Sequence, residues 1–269
     1  MCGFVGFTGQ LAQGESVLKN MMDAIIHRGP DSAGTHIDEN ISLGFRRLSI
    51  IDLDSGTQPM YNETGDIVIV FNGEIYNYQE LREELINKGH VFSNNADTEV
   101  LIHGYEEYGE DLLKRLRGMF AFVIWDSKKK KLFGARDFFG IKPFYYAVVD
   151  GQLVFASEIK SILMYTPYKK EMNKDALENY LTFQYSVLPE TFFKGIYKLM
   201  PSHSITFENG KVDIKRYWEP VFEPDENTGL NELVDKIDNA MQDSIKKHKI
   251  SDVEVGSFLS SGVDSSYVA

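Results

Sequence analysis

The apolar positions of this chain change their spacing several times, and each change predicts an element. Phe4 to Thr8 is a short apolar run set between glycines Gly3 and Gly6, which predicts a strand that another backbone or a substrate can approach closely. From Glu15 to His27 the residues Leu18, Met21, Met22, Ile25 and Ile26 recur at helical spacing, until Arg28-Gly29-Pro30 stops the run. Strands are predicted at Ser42 to Arg46 and at Asp66 to Phe71, the second β-branched (Ile67, Val68, Ile69, Val70) and followed at once by Asn72-Gly73. Helices are predicted over Tyr78 to Lys88, closed by Gly89, and over Thr98 to Tyr108, with Asp97 at its start and Gly109 at its end. A short third helix follows from Glu110 to Arg117.

After Gly118 the pattern turns to apolar strands joined by polar turns: Met119 to Trp125, Leu132 to Arg136, Phe144 to Val149 and Gln152 to Ser157. Lys128 to Lys131 and Asp150-Gly151 make hairpin tips, so these segments predict an antiparallel sheet with a helix at about Glu158 to Met164 behind it. A helix over Asn173 to Tyr185 follows, then a hairpin of Ser204 to Phe207 with Val212 to Trp218 that turns at Asn209-Gly210. Glu219 to Gly229, rich in Pro, Asp, Glu and Asn, is the strongest boundary signal, and a first domain is expected to end near residue 220. Beyond it Leu233, Ile237, Met241 and Ile245 form a helical stripe within Leu230 to Lys249, and Val253 to Leu259 reads as a strand. That strand runs into the small-residue loop Ser260-Ser261-Gly262-Val263-Asp264-Ser265-Ser266. A helix, a strand and a loop do not complete a domain, so residues 221–269 are expected to be the truncated start of a second one.

Composition narrows the chemistry. With 43% hydrophobic and 13% aromatic residues the 269-residue chain can bury a sizeable core. Its formal charge of −12 repels a phosphate backbone, so nucleic acid is excluded as a partner, and the runs Lys128 to Lys131 and Lys246 to Lys249 read as solvated surface. No stretch approaches ~18 consecutive apolar residues and no signal sequence is evident, so no membrane association is expected. A single cysteine rules out an internal disulfide and fits a reducing, cytoplasmic setting.

That cysteine is Cys2, which removal of Met1 would leave as the first residue. A thiol titrating near ~8.5 and an α-amine near ~7.7–8.0 would then share one atom framework, matched for proton exchange near neutral pH. Such a pair is an N-terminal nucleophile whose base is its own amine; the alternative is a small buried hydrophobe. Asn72-Gly73 suits a hairpin turn, but Glu74-Ile75-Tyr76-Asn77-Tyr78 leads towards a helix, and an amide beside a glycine N–H supplies two donors for an oxyanion. Arg47 has the fork geometry for a carboxylate. Asp97 suits a helix N-cap and equally a substrate ammonium, and His27-Arg28-Gly29-Pro30-Asp31 suits a helix stop that doubles as an active-site loop.

Taken together, Met1-Cys-Gly-Phe-Val-Gly6, His27-Arg-Gly-Pro-Asp31, Arg47-Leu-Ser-Ile-Ile-Asp52, Asn72-Gly-Glu-Ile-Tyr-Asn77, Asp97-Thr-Glu-Val100, Arg117-Gly-Met-Phe-Ala-Phe122 and Arg136-Asp-Phe-Phe-Gly-Ile-Lys-Pro143 closely resemble the glutamine-hydrolysing asparagine synthetases. The resemblance implies an α+β fold: a four-layer αββα sandwich of two antiparallel sheets, of the N-terminal-nucleophile hydrolase type, over residues 1–220. An α/β ATP-pyrophosphatase domain would begin at 221–269. It implies that Cys2 attacks the carboxamide of L-glutamine while its α-amine shuttles the proton, and that Asn72 and Gly73 hold the oxyanion. Arg47 would meet the substrate carboxylate, Glu74 and Asp97 its ammonium, and the Leu48, Ser49, Ile50 and Ile51 backbone would line the pocket.

Leu259, Ser260, Gly262, Asp264 and Ser265 resemble the family's pyrophosphate loop, with Ser261 where a glycine is usual. ATP and Mg²⁺ would serve the full-length synthetase, which amidates L-aspartate through an aspartyl-adenylate; the glutaminase half implies no cofactor and no metal. The family is compatible with a homodimer. The fragment itself is expected to hydrolyse glutamine and to make no asparagine. Glucosamine-6-phosphate synthase and phosphoribosylpyrophosphate amidotransferase have similar first domains but no pyrophosphate-type loop. Two other readings are ammonia delivery to a different adenylated acceptor, and a ligase akin to β-lactam synthetase, which lacks the cysteine.

Overall fold

In the computed structural model, residues 2–48, 56–186, 188–225, 227–250 and 254–269 are described. The chain opens with strand β1 (Gly3–Thr8), helix α1 (Gly14–Asp23), a 3₁₀ turn at Ile26–Arg28, β2 (Ser32–Ile37) and β3 (Ile41–Arg47). It continues through β4 (Met60–Tyr61), β5 (Ile67–Ile75), α2 (Tyr78–Asn87), α3 (Asp97–Tyr108) and a second 3₁₀ stretch at Gly109–Arg115. Then come β6 (Gly118–Asp126), β7 (Lys131–Arg136), β8 (Tyr145–Val149), β9 (Gln152–Ala156), α4 (Ile159–Ile162), α5 (Lys174–Phe183), β10 (Ile196–Lys198), β11 (His203–Glu208) and β12 (Lys211–Arg216). After a linker stand α6 (Leu230–His248) and α7 (Val263–Val268).

The strands form two six-stranded sheets, ordered β10-β8-β9-β1-β3-β2 and β12-β11-β7-β6-β5-β4, with antiparallel neighbours throughout. Alternation along each strand gives every sheet two apolar faces. Phe4, Leu43, Phe45 and Phe155 of the first sheet meet Val68, Val70, Val123 and Trp125 of the second in a shared central core. The opposite face of the first sheet, with Val5, Phe7, Val154 and Ala156, takes Val17, Leu18 and Met21 of α1 and Ile162 of α4. The outer face of the second, with Ile69, Phe71, Phe122, Ile124 and Phe133, takes Leu81 and Leu85 of α2 and Val100 and Leu101 of α3. Helix, sheet, sheet, helix is the αββα order expected. Each fully buried Phe or Leu contributes roughly 1.5–3 kcal/mol, so these three cores dominate the stability.

Three departures from the predicted elements bear on the site. Asn72-Gly73 does not close a strand: β5 runs on to Ile75, with Asn72 opposite Ala121 and Gly73 opposite Phe120. The long partner strand overrides the turn propensity of the dipeptide. The segments from Met119 to Ser157 do not share one sheet either; β6 and β7 lie in the second and β8 and β9 in the first. Third, residues 254–259 are not a strand, since they have no strand neighbour to pair with; Val253 lies outside the described residues. Strands β2, β4 and β10 had no clear pattern in the sequence. No helix among the described residues is long and apolar enough to cross a membrane.

Candidate active site

The register of the first sheet determines where Cys2 stands. Gly3 faces Arg46 across β1 and β3, so one step back brings Cys2 beside the end of β3. There the Leu48 N–H donates to Cys2 Sγ (3.3 Å) and the Leu48 carbonyl lies 3.4 Å from the same sulfur. Arg28 Nε donates to the Cys2 carbonyl (2.9 Å) and its Nη1 reaches Glu158 Oε1 at 3.1 Å. Gly3 permits this: a Cβ there would meet Ile25 Cδ1 at 2.9 Å and Arg28 Cδ at 3.1 Å. The His27-to-Asp31 loop therefore touches the Cys2 backbone through Arg28, while none of its residues is in the cleft lining.

Strand β5 brings the second set of groups from the other sheet. Successive N–H groups of a strand point to opposite edges. On one edge the Phe71 N–H donates to Gln58 Oε1 (2.6 Å) and the Ile75 N–H to Asp97 Oδ2 (2.9 Å). The Gly73 N–H lies between them on that same edge. A Cβ at Gly73 would overlap the Met119 carbonyl, so only glycine fits where β5 crosses β6 this closely. Beside it Asn72 is buried, and among the described residues its Nδ2 has no hydrogen-bond partner. A buried amide donor without a protein partner is costly and suits a ligand oxygen.

These groups converge on one open cleft of about 570 Å³, whose lining includes Cys2, Arg47, Leu48, Asn72, Gly73, Glu74 and Asp97. Of the expected first-domain site residues, only Ser49, Ile50 and Ile51 lie outside the described residues, as does Met1. Asp97 is not the N-cap of α3: Ala96 takes that position, and Asp97 is the first helical residue. Burial pushes the Asp97 carboxyl up to about 7, against the pull of the Ile75 N–H, and the nearby Glu74 carboxylate adds to the rise. Glu74 is itself raised by burial, opposed by Lys142 and His248. Burial also raises the Cys2 thiol, opposed by the Leu48 N–H, the chain's terminal charge, Arg47 and Lys142. Two carboxyls and two cations thus line the cleft around one sulfur, with the Asn72 Nδ2 donor unpartnered among the described residues and the Gly73 N–H beside it.

Gln58 and Lys142 are among the lining residues that had no role in the sequence reading. Gln58 spans β5 by donating to the Phe71 carbonyl (3.1 Å) as well as accepting its N–H, which holds open the edge where Gly73 lies. Lys142 belongs to the Arg136-to-Pro143 motif, and only the fold turns it into the cleft.

The family model for the glutamine amidotransferase domain matches residues 1–218. The chain belongs to this family. A second model, asparagine synthase, matches residues 236–269. "Asparagine synthetase [glutamine-hydrolyzing] 1" of Bacillus subtilis (strain 168) is 46% identical over 274 residues, covering 100% of this chain and 43% of that protein. "Amidase chyE" of Penicillium rubens is 38% identical over 259 residues, covering 94% of this chain and 38% of its own length. The chain thus spans less than half of these relatives. Among solved structures, glutamine phosphoribosylpyrophosphate amidotransferase from B. subtilis superposes with a TM-score of 0.62 at 17% identity, over 82% of this chain and 50% of that one. That likeness shows that this amidotransferase chain shares the fold.

The second group of expected residues is not in the cleft. Leu259, Ser260, Gly262, Asp264 and Ser265 are exposed or nearly so, at the start of α7. The Gly262 N–H donates to Ser260 Oγ (3.3 Å), and Ser260 and Ser265 hydroxyls lie 2.7 Å apart. Gly262 has φ −77°, and Ser261 is not among the described residues with positive φ, so serine in place of glycine costs no backbone strain there.

Proposed function

We propose that the amidotransferase domain, residues 1–220, hydrolyses L-glutamine to glutamate and ammonia through a thioester on Cys2, with Met1 removed. The observation that carries this reading is Asn72 Nδ2, unpartnered among the described residues, on the residue that lines the cleft with Cys2. Cys2 Sγ attacks the carboxamide carbon as its proton passes to the α-amine. The oxygen, now anionic, takes hydrogen bonds from Asn72 Nδ2 and the Gly73 N–H. The C–N bond then breaks as the amine returns the proton to the leaving nitrogen, and ammonia departs. Water adds to the thioester, glutamate leaves and the thiol is restored. Arg47 pairs with the substrate α-carboxylate, Glu74 and Asp97 accept its α-ammonium, and Leu48 lines the wall.

The whole protein, on this reading, is a cytoplasmic glutamine-hydrolysing asparagine synthetase, assembling as a homodimer. Its second domain begins at about residue 221, and the loop at Leu259, Ser260, Gly262, Asp264 and Ser265 receives the phosphates of ATP. The clustered hydroxyls and short side chains of that loop suit an anion, and Mg²⁺ would accompany the nucleotide. ATP supplies the activation of aspartate that lets ammonia displace a leaving group.

Ammonia release from glutamine tests the reading. Cys2→Ala is expected to abolish it with folding intact, and Asn72→Ala to lower kcat by about 10²–10³ with a smaller change in KM. Unchanged hydrolysis in Cys2→Ala would move the nucleophile elsewhere.

A further inference from the structure

Lys142 is a buried lysine in the wall of the cleft, 5% exposed. The backbone that carries it is anchored by Asp137, which is 1% exposed. Asp137 Oδ2 accepts the Lys142 N–H (2.9 Å) and the Phe120 N–H (3.2 Å), while its Oδ1 accepts those of Phe139 (3.1 Å) and Ile141 (2.9 Å). The Lys142 carbonyl in turn accepts Arg136 Nε at 2.7 Å. This rigid turn follows β7 of the second sheet and delivers a cation towards a thiol that belongs to the first. An ammonium taken out of water is costly, and a fold keeps one in a ligand cleft where it is matched by negative charge.

The charged groups around the sulfur divide by task. Arg28 bonds the Cys2 carbonyl and Glu158. Arg47 is assigned to the carboxylate of the substrate, Glu74 and Asp97 to its ammonium. Each is engaged when glutamine is bound. Lys142 stands in the same cleft wall as the Cys2 thiol, and its positive charge bears on both Cys2 and Glu74 there.

We propose that Lys142 is a positioning residue for the thiolate: its ammonium, held in the cleft by the Asp137 turn, stabilises the negative charge on Cys2 Sγ and keeps the adjoining α-amine unprotonated. The inference rests on Cys2 being the nucleophile. Both effects follow from one sign. A neighbouring cation favours a thiolate and disfavours an ammonium, so it offsets the burial that otherwise protects the thiol and leaves the amine free to take a proton. Burial lowers the Lys142 ammonium itself, while Glu74 and Cys2 hold it up.

The test is the pH dependence of iodoacetamide inactivation of the full chain, beside glutaminase activity, for wild type, Lys142→Met, Lys142→Gln and Lys142→Arg. The inactivation midpoint is expected to rise by about one pH unit in the Met and Gln variants, with kcat/KM near pH 7 falling about tenfold. Lys142→Arg, which keeps the charge, is expected to restore the midpoint. A role confined to packing would change stability without moving it. If alkylation abolishes hydrolysis in wild type but the midpoint of a folded Met or Gln variant coincides with it, the Lys142 proposal fails alone. If alkylated wild type still hydrolyses glutamine, the Cys2 reading fails first.

Discussion

Asp97 combines two demands in one carboxyl. One oxygen accepts the Ile75 N–H at 2.9 Å, which ties α3 to the end of β5, and the side chain still lines the cleft. Burial holds its folded pKa at about 7, well above the ordinary carboxyl range. The folded state therefore binds a proton that the unfolded chain releases near pH 4, and Asp97 favours folding at low pH but progressively less as pH rises through 7. Recognition of an ammonium runs the opposite way, because the carboxylate is the useful form. Glutamine KM is expected to fall as pH rises from about 6 to 8, and Asp97→Asn to raise KM and flatten that dependence. A KM profile of Asp97→Asn that matches wild type would remove Asp97 from the ammonium site. At this scale the sequence was informative where residue type and neighbours suggested a site, as for Cys2, Arg47 and Asn72-Gly73, which all line the cleft. It was silent on Gln58, since a glutamine before a proline has no spacing signal and gains its role only when it closes on both polar groups of Phe71.

Among the elements, α3 carries the cleft residues Asp97 and Thr98 at one end and a buried ionic network at the other. His103 is 1% exposed, and its Nδ1 lies 2.8 Å from Glu106 Oε2, with Glu99 Oε1 at 3.7 Å from Nε2. Glu99 also accepts the Ser93 and Asn94 N–H groups at 2.7 and 3.0 Å, which pins the loop before α3. Burial by itself would lower His103, but Glu106, Glu99 and Glu63 outweigh it and raise the imidazolium to about 9. A raised histidine contributes stability that is complete below the ordinary imidazole value of about 6.5 and is lost as pH rises through about 9. Wild type is expected to lose stability between pH 7 and 10, by an amount on the order of 1–3 kcal/mol, seen as a falling Tm. His103→Gln should be less stable at pH 6 and nearly indifferent to this range; parallel Tm curves for the two proteins would refute the network. The helix was legible from its apolar spacing and closing glycine. The Asn72-Gly73 step in β5 was not, because local turn chemistry cannot see the nine-residue pairing with β6.

At the scale of the molecule, the cleft forms where two sheets meet: Cys2 and Arg47 come from one, Asn72 to Glu74 from the other, and Lys142 from the crossover between them. Hairpin signals identify which strands are consecutive but not which sheet each pair joins, so the division after β7 could not be read from periodicity. It follows instead from the Asp137 turn, which redirects the chain before β8. All described lining residues fall between Cys2 and Lys142. The second segment touches this body mainly at its surface, through the His248 ring 4.2 Å from that of Tyr76, an Arg117 to Asp243 ion pair at 2.6 Å and another between Lys247 and Glu80. Exposed pairs of this kind are worth about 0–1 kcal/mol each, and Leu230, Val234 and Ile237 of α6 remain exposed, so little apolar burial is at stake. Residues 1–218 alone are therefore expected to fold with a Tm close to that of the longer chain and to release ammonia from glutamine at a rate of the same order. His248 pulls the Glu74 carboxyl down in the longer chain, so its loss should leave Glu74 more readily protonated and weaken glutamine binding modestly at acidic pH. A folded 1–218 protein without glutaminase activity would mean that α6 completes the site, and that the wall of the cleft extends beyond Lys142.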